Sequence, residues 1–119
     1  MMEFIPETYV TETLSFLNKS KIPYGLVKVN TKEPLYVTFK IFDERGVLFT
    51  DDMEDMTKFY VQVDTVDMKK INVKVARDIK KAMLKAGFNS IYSDQFYNNE
   101  AQNYQISYRY SYVFDTDLE

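Results

Sequence analysis

The sequence predicts an α+β fold: a two-layer sandwich in which two helices pack on one face of a mainly antiparallel sheet. Apolar residues at every second position predict strands, and apolar residues at helical spacing predict helices. The 119 residues include three Gly and three Pro, so few breakers interrupt regular structure. Successive strands with short connections pair antiparallel, which gives the order α-β-β-β-α-β-β in a single domain, residues 1–119.

The first helix is predicted over residues 5–19. Pro6 suits the first helical turn, because its missing N–H has no partner there in any helix. Val10, Leu14 and Leu17 recur at i, i+4 and i+7, so they share one face of the helix. We expect that face to pack on the sheet.

Three extended segments come next. Residues 26–29 form a short piece, and residues 35–43, L-Y-V-T-F-K-I-F-D, alternate clearly. Residues 44–46, E-R-G, predict a turn into another short strand, so these two segments are expected to form a hairpin. Residues 58–67 alternate in the same way. The positions expected to face the core are Val37, Phe39, Ile41, Phe59, Val61, Val63 and Thr65.

The second helix is predicted over residues 69–86, with Gly87 as its left-handed cap. A basic row on its polar side is either solvated or an interface. Val73 and Leu84 lie beside that row, and exposed apolar residues next to cations favour a protein interface. The apolar stripe is Ile71, Val75, Ile79, Ala82, Met83 and Ala86. The basic row is Lys70, Lys74, Arg77, Lys81 and Lys85.

The last two strands are predicted to pair across residues 98–103, and the final strand is rich in tyrosine. A buried phenol needs a partner for its hydroxyl, so two interpretations stay open. Either the rings pack under the helices with hydroxyls at the rim, or part of the stripe is buried only after assembly. Tyr60, on the outward face of its strand, is expected to serve assembly. The residues of the stripe are Tyr104, Ile106, Tyr108, Tyr110, Tyr112 and Phe114.

Composition limits the possible chemistry. The chain has no His and no Cys, which excludes the Ser-His-Asp and Cys-His catalytic arrangements and nearly all zinc sites. Its net charge of −3 gives no help in binding nucleic acid or anionic lipid. No apolar run is long enough to span a bilayer, and the N-terminus lacks the pattern of a signal peptide. These features predict a soluble intracellular protein without the commonest catalytic residues, in which acid–base chemistry by carboxylates, Lys or Tyr stays open. We expect no enzyme and no cofactor.

Two groups of carboxylates are candidate metal sites. Residues 51–55 are acidic, but their spacing does not match an EF-hand loop, and they are predicted to form a solvated loop that a partner can use. Asp64 followed by Lys69 resembles the layout of metal-dependent nucleases, which needs both groups on adjoining strands, whereas Lys69 is predicted to open a helix. We therefore predict no metal. The carboxylates of the first group are Asp51, Asp52, Glu54 and Asp55.

One stretch of the chain resembles a known family. Residues 48–67, L-F-T-D-D-M-E-D-M-T-K-F-Y-V-Q-V-D-T-V-D, resemble the tail-completion or tail-terminator proteins of the head–tail joining region of long-tailed siphophages. Residues 85–88, K-A-G-F, and 109–114, R-Y-S-Y-V-F, agree with that pattern. Val66 and Asp67 depart from it, since relatives often carry an aromatic and a small polar residue there.

The resemblance implies a structural protein that forms a ring, commonly a hexamer, on the end of the tail tube. Its partners would be further copies of itself, the major tail-tube protein and the head connector or stopper, in the virion neck and, during assembly, the host cytoplasm. No ligand, membrane or specific nucleic acid is implied. The basic row and residues 51–55 are a complementary pair for head-to-tail contacts. Alternatives are a head-side connector adaptor, a nucleic-acid-binding module or a carboxylate-dependent nuclease that uses Asp64.

Overall fold

The computed structural model describes residues 4–48 and 55–115. In these ranges the elements follow in the order α-β-β-β-α-β-β, so the predicted α+β fold class is confirmed. The first helical segment changes from an α-helix to a 3-10 helix without a break. The elements are α1 (Pro6–Thr13), the 3-10 helix (Leu14–Ser20), β1 (Tyr24–Leu26), β2 (Leu35–Leu48), β3 (Asp55–Asp67), α2 (Val73–Lys85), β4 (Asn89–Asn98) and β5 (Asn103–Asp115).

The five strands form one sheet in the order β1-β2-β3-β5-β4. β1 runs parallel to β2, and the other neighbours pair antiparallel. The predicted pairing of the last two strands is confirmed. Val61 at the centre of β3 has Ile41 of β2 on one side and Tyr110 of β5 on the other. The sheet is therefore mainly antiparallel, as the sequence predicts.

The turn predicted at residues 44–46 is wrong. These residues continue β2 and pair with residues 57–59 of β3. A bulge between Ile41 and Asp43 absorbs one extra residue, so the ladder resumes beyond it. The hydrogen bonds of a long antiparallel ladder outweigh the local preference of Glu-Arg-Gly for a turn. The connection between β2 and β3 consequently falls in residues 49–54, which lie outside the described residues.

The first helix is α-helical only as far as Thr13. The hydroxyls of Thr11, Thr13 and Ser15 donate hydrogen bonds to backbone carbonyls three or four residues earlier in the chain. Such side-chain bonds compete with the regular α-helical pattern and favour a tighter turn. The predicted apolar face is buried along both the α-helical and the 3-10 segment. The residues that the two helical segments bury are Pro6, Val10, Leu14 and Leu17.

The second helix begins at Val73, four residues later than predicted. The side chain of Asn72 accepts a hydrogen bond from the backbone N–H of Val75, at 3.2 Å, and so caps the helix. The buried carboxylate of Asp67 accepts from the N–H of Lys69 at 2.8 Å and from the Asn72 amide at 2.9 Å. These bonds hold residues 68–72 as a connection, and Lys69 does not open the helix.

The end of α2 follows the prediction. Gly87 has a φ of 99°, in the region that favours glycine. A Cβ at this position would lie 3.1 Å from Cε1 of Tyr112, so the backbone also approaches β5 closely here. Ala76, absent from the predicted stripe, is buried together with Ile79 and Met83.

Both helices lie on the same face of the sheet, and the hydrophobic core lies between the two layers. The predicted core positions of β2 and β3 are buried there, with Ile41 half-buried. No described helix is both long and apolar enough to cross a membrane. The core cluster is Val10, Leu14, Leu17, Val37, Phe39, Phe59, Val61, Val63, Ile79, Met83, Phe88 and Tyr110.

Candidate interaction surfaces

The outward side of α2 is basic. The thirteen residues of the whole helix include five cations and one acid, so α2 has a net charge of +4. The whole chain has a net charge of −3, so the rest of it carries −7. Lys74 pairs with Asp78 at 3.0 Å, an exposed pair that contributes little. The predicted row therefore keeps a positive surface, with one correction: Lys70 lies in the connection before the helix. The exposed cations on the helix are Lys74, Arg77, Lys81 and Lys85.

The apolar residues predicted beside this row differ in exposure. Leu84 is 46% exposed, so it adds an apolar group to the basic surface. Val73 is half-buried at the start of the helix. Lys80 belongs to a different side of α2, because it is half-buried and its Nζ lies 5.8 Å from the ring centre of Tyr108. Lys80 therefore covers the tyrosine strand rather than joining the row.

A groove between the first helical segment and α2 extends the basic surface. Lys19 lies on one wall and Lys85 on the other, with Phe16 and Ala82 between them. Sequence reasoning missed Lys19, because nothing in the sequence brings the end of one helix beside the end of the other. The hydroxyl of Tyr9 links the same two elements: it donates a 2.6 Å hydrogen bond to the carbonyl at the end of α2, at Ala86.

The proposed acidic partner of this surface lies mostly outside the described residues. Asp51, Asp52 and Glu54 belong to that stretch. The backbone of Asp55 begins β3, opposite the end of β2. The predicted pairing of these carboxylates with the basic row therefore stays a prediction.

The outer face of the sheet has no described helix on it and carries exposed aromatic and basic groups. Tyr60, half-buried here as predicted for an outward position, contacts the ring of Phe42 with centres 5.8 Å apart. The guanidinium of Arg45 lies 5.8 Å from the Tyr60 ring centre, and Nζ of Lys58 lies 5.4 Å from it. This side of the sheet thus combines cations with aromatic faces, a combination enriched in protein interfaces.

Arg109 of β5 lies at the middle of that outer face. Its guanidinium carbon is 5.1 Å from the ring centre of Phe42 and 5.4 Å from that of Tyr92. Its Nε donates to the side-chain oxygen of Gln62 at 3.1 Å. Arg109 is the one cation in the sequence of β5. The aromatic contacts come from β2 and β4, which no spacing in the sequence predicts.

Asp64 shares the partner Gln62 with Arg109, and its carboxylate accepts hydrogen bonds from uncharged side chains. Ser107 donates a hydrogen bond to its carboxylate, and the Gln62 amide donates at 3.1 Å to both oxygens. Lys69 lies in the connection to α2 and not on a neighbouring strand. In the described ranges, no three acidic residues converge as possible metal ligands.

The tyrosine strand divides between core and rim. Tyr110 and Ile106 are buried, whereas Tyr112 is half-buried and contacts the rings of Phe88 and Tyr9 at 5.0 and 5.1 Å. The inward face of this strand therefore packs under the helices, which matches the first of the two interpretations for the central residues. The remaining half-buried members are Tyr104, Tyr108 and Phe114.

Comparison with known proteins finds relatives by fold among solved structures. No protein-family model and no curated protein matches the chain. Twenty-three chains of solved structures match it. One of them comes from the virion of a native gene transfer agent particle: it has a TM-score of 0.59 and 11% sequence identity, over 89% of this chain and 91% of that chain. At this identity the likeness shows a shared fold.

Proposed function

We propose that this chain is a structural protein of a phage-type virion that forms a ring in the neck, a hexamer as is common among tail terminators. On the end of the tail tube this ring stops further tube growth and presents a surface to the head connector. The observation that carries the proposal is the fold shared with a virion chain over 89% of this chain and 91% of the other. The resemblance of residues 48–67 to tail-terminator proteins supports the same role. We assign no enzymatic activity and no cofactor to the chain.

The surfaces suit such an assembly. Each copy in a ring offers two different surfaces, one to the copy before it and one to the copy after it. The helix α2 as a whole has a net charge of +4, and the rest of the chain carries −7, so opposite charges are available for a contact between copies or with the tail tube. Cations at such contacts steer association and fix its orientation.

Charge reversal on α2 tests the role of this surface. Lys74→Glu with Lys81→Glu replaces two exposed cations without touching the core, so folding should be unchanged. We expect a loss of ring assembly on purified tail tubes, measured by electron microscopy and native mass determination. The matched control is Lys28→Glu with Lys32→Glu, which makes the same charge change at exposed positions outside α2 and should leave assembly intact.

The role itself is tested in a phage that carries the gene. Deletion should give filled heads and separate tails, often of abnormal length, because nothing ends the tube or joins it to the head. Normal infectious particles without the gene would contradict any neck role. Rings found on isolated head connectors instead of tail tubes would assign the chain to the head side of the joint.

A further inference from the structure

The sheet has two free edges in the part of the chain that the structure describes. β4 is the last strand on one side. On the other side, β1 pairs only with residues 37–39 of β2. Residues 40–48 of β2 therefore have no described strand beside them on the side away from β3. Each edge presents main-chain N–H and C=O groups that another strand could use.

A bulge between Ser90 and Tyr92 interrupts the start of β4, but the part of the edge beyond it lacks the features that usually prevent strand addition. The ten residues of β4, N-S-I-Y-S-D-Q-F-Y-N, contain no Pro, Gly, Lys or Arg and one charge, Asp94. Its side chains are exposed from Asn89 to Tyr97. Natural proteins blunt long edges with such residues or cover them. An uncovered edge of this kind is suited to pairing with a strand of another chain.

The directions of the two edges are compatible in a ring. β2, β3, β5 and β4 are each antiparallel to the next, so β4 runs opposite to β2 within one copy. If the same sheet is repeated by rotation with its helices on the same side, β4 meets β2 of the next copy in antiparallel orientation. The contact joins two different surfaces, as a ring requires.

In one register between β4 and β2 of the next copy, apolar groups lie together and β4 ends before it reaches β1. With Asn98 beside Lys40, Phe96 falls beside Phe42, and β4 ends before it reaches residues 37–39, which β1 occupies. Phe96 and Phe42 are 38% and 42% exposed and belong to the outer faces of their strands. Opposed aromatic residues are favourable cross-strand pairs.

The same register matches the charges. Beyond the bulge in β2, Asp94 falls beside Arg45, and both residues belong to the outer face. Arg45 already binds Asp43 through Nε at 2.7 Å, but a guanidinium has five N–H donors and can serve a second carboxylate. The one charge of β4 would thus lie next to a cation rather than next to a second acid.

We propose that β4 of one copy adds as an antiparallel strand to residues 40–46 of β2 of the next copy, which joins the sheets into one continuous ring. This inference rests on the proposed ring and names the contact that closes it. The occupant of each edge is a second copy of this chain, because the two edges match in direction, length and charge.

Cysteine cross-linking tests the contact directly. The chain has no cysteine, so an introduced one can form a disulfide only with another copy. Arg45→Cys and Asp94→Cys proteins, mixed and oxidised, should give the mixed dimer as the main cross-linked species. The double variant should give a ladder of covalent oligomers that ends at the ring size, resolved by mass under denaturing conditions.

Controls separate this contact from its alternatives. Lys28→Cys mixed with Asp94→Cys should give no dimer above background. A second pair, Lys40→Cys with Asn98→Cys, tests the same register if the first variants fold poorly. Dimers from Asp94→Cys alone would show that β4 pairs with itself, and the absence of both mixed dimers at high protein concentration would overturn the proposal.

The cross-linking result and the phage deletion test the strand addition and the neck role independently. Rings seen on tail tubes without either mixed cross-link would reject the strand addition and leave the neck role standing. Mixed cross-links in a protein whose deletion leaves phage assembly normal would support the strand addition and reject the neck role.

Discussion

Tyr110 lies at the centre of β5 with its ring in the core and its hydroxyl buried. Among the described residues that hydroxyl finds no hydrogen-bond partner. Burial, followed by the nearby Tyr108, raises the pKa of Tyr110 well above its ordinary value near 10. An unpaired buried hydroxyl costs about 1–3 kcal/mol, so this residue carries a local penalty within an otherwise well-packed cluster.

Replacing Tyr110 by Phe should therefore not destabilise the protein. The change removes the unpaired hydroxyl and keeps the ring, so we expect the free energy of unfolding to stay equal or to rise by about 1 kcal/mol. Denaturant unfolding measures this. Tyr108→Phe, at a half-buried neighbour, is the control and should have no effect. A loss of stability in Tyr110→Phe alone would show that the hydroxyl has a partner.

The same substitution has a pH signature. Burial raises the folded-state pKa of Tyr110 above its unfolded value, so the ionisation of this residue does not affect stability below about pH 10. Above that pH the unfolded chain ionises first, and stability falls. The Phe variant should therefore lose less stability than the parent between neutral pH and pH 11.

At the scale of the element, the start of α2 depends on a short network of polar side chains. Asp67 holds Asn72, and Asn72 in turn caps the helix through the N–H of Val75. The apolar periodicity of residues 69–86 predicts a longer helix because it contains no information about these bonds. The network shortens the helix by one turn and moves Lys69 and Lys70 out of it.

Asn72→Ala should lower the free energy of unfolding by about 1 kcal/mol, because it removes the cap and one hydrogen bond of a buried carboxylate. Thermal or denaturant unfolding gives the value. Asn30→Ala, at an exposed position outside the helices and strands, is the matched control. Equal stabilities of the two variants would show that the cap contributes nothing.

The hairpin of β2 and β3 shows a different limit of local reasoning. Residues 44–46, Glu-Arg-Gly, are of types that favour turns, yet they form a regular part of the ladder. A bulge between Ile41 and Asp43 shifts the alternation of β2 by one residue, so odd-numbered residues face the core before it and face outward beyond it. Alternation therefore predicted the strands and their inward faces, whereas the place of the turn depended on pairing with β3.

At the scale of the whole molecule, the tyrosines lie in two different environments, the core and the outer sheet face, and we expect mutation to distinguish them. Tyr110→Ala removes a buried ring and should lower the free energy of unfolding by about 3 kcal/mol. Tyr60→Ala removes a ring from the outer sheet face, beside Phe42, and should affect assembly more than stability. Thermal melts and size measurements of both variants separate the two effects. Identical behaviour of the variants would refute the division.

The exposed surfaces differ in how far the sequence alone predicts which residues form them. The basic row on α2 was predicted residue by residue except for Lys70, which lies before the helix, because a helix fixes which side chains share a side. Arg109, Phe42 and Tyr92 come from three different strands, and their contact depends on the order β2-β3-β5-β4. Lys19 joins the basic surface for the same reason, since its approach to Lys85 depends on how two helices pack.

The sequence alone determined the class of fold, the inward faces of the main strands and the basic side of α2. Those features depend on periodicity, which is a property of residues close together in the chain. Only the tertiary structure decided the continuous β2, the late start of α2, the aromatic contacts of Arg109 and the two free sheet edges. Each of these depends on which distant segments become neighbours, and pairing and packing energies between segments set that choice.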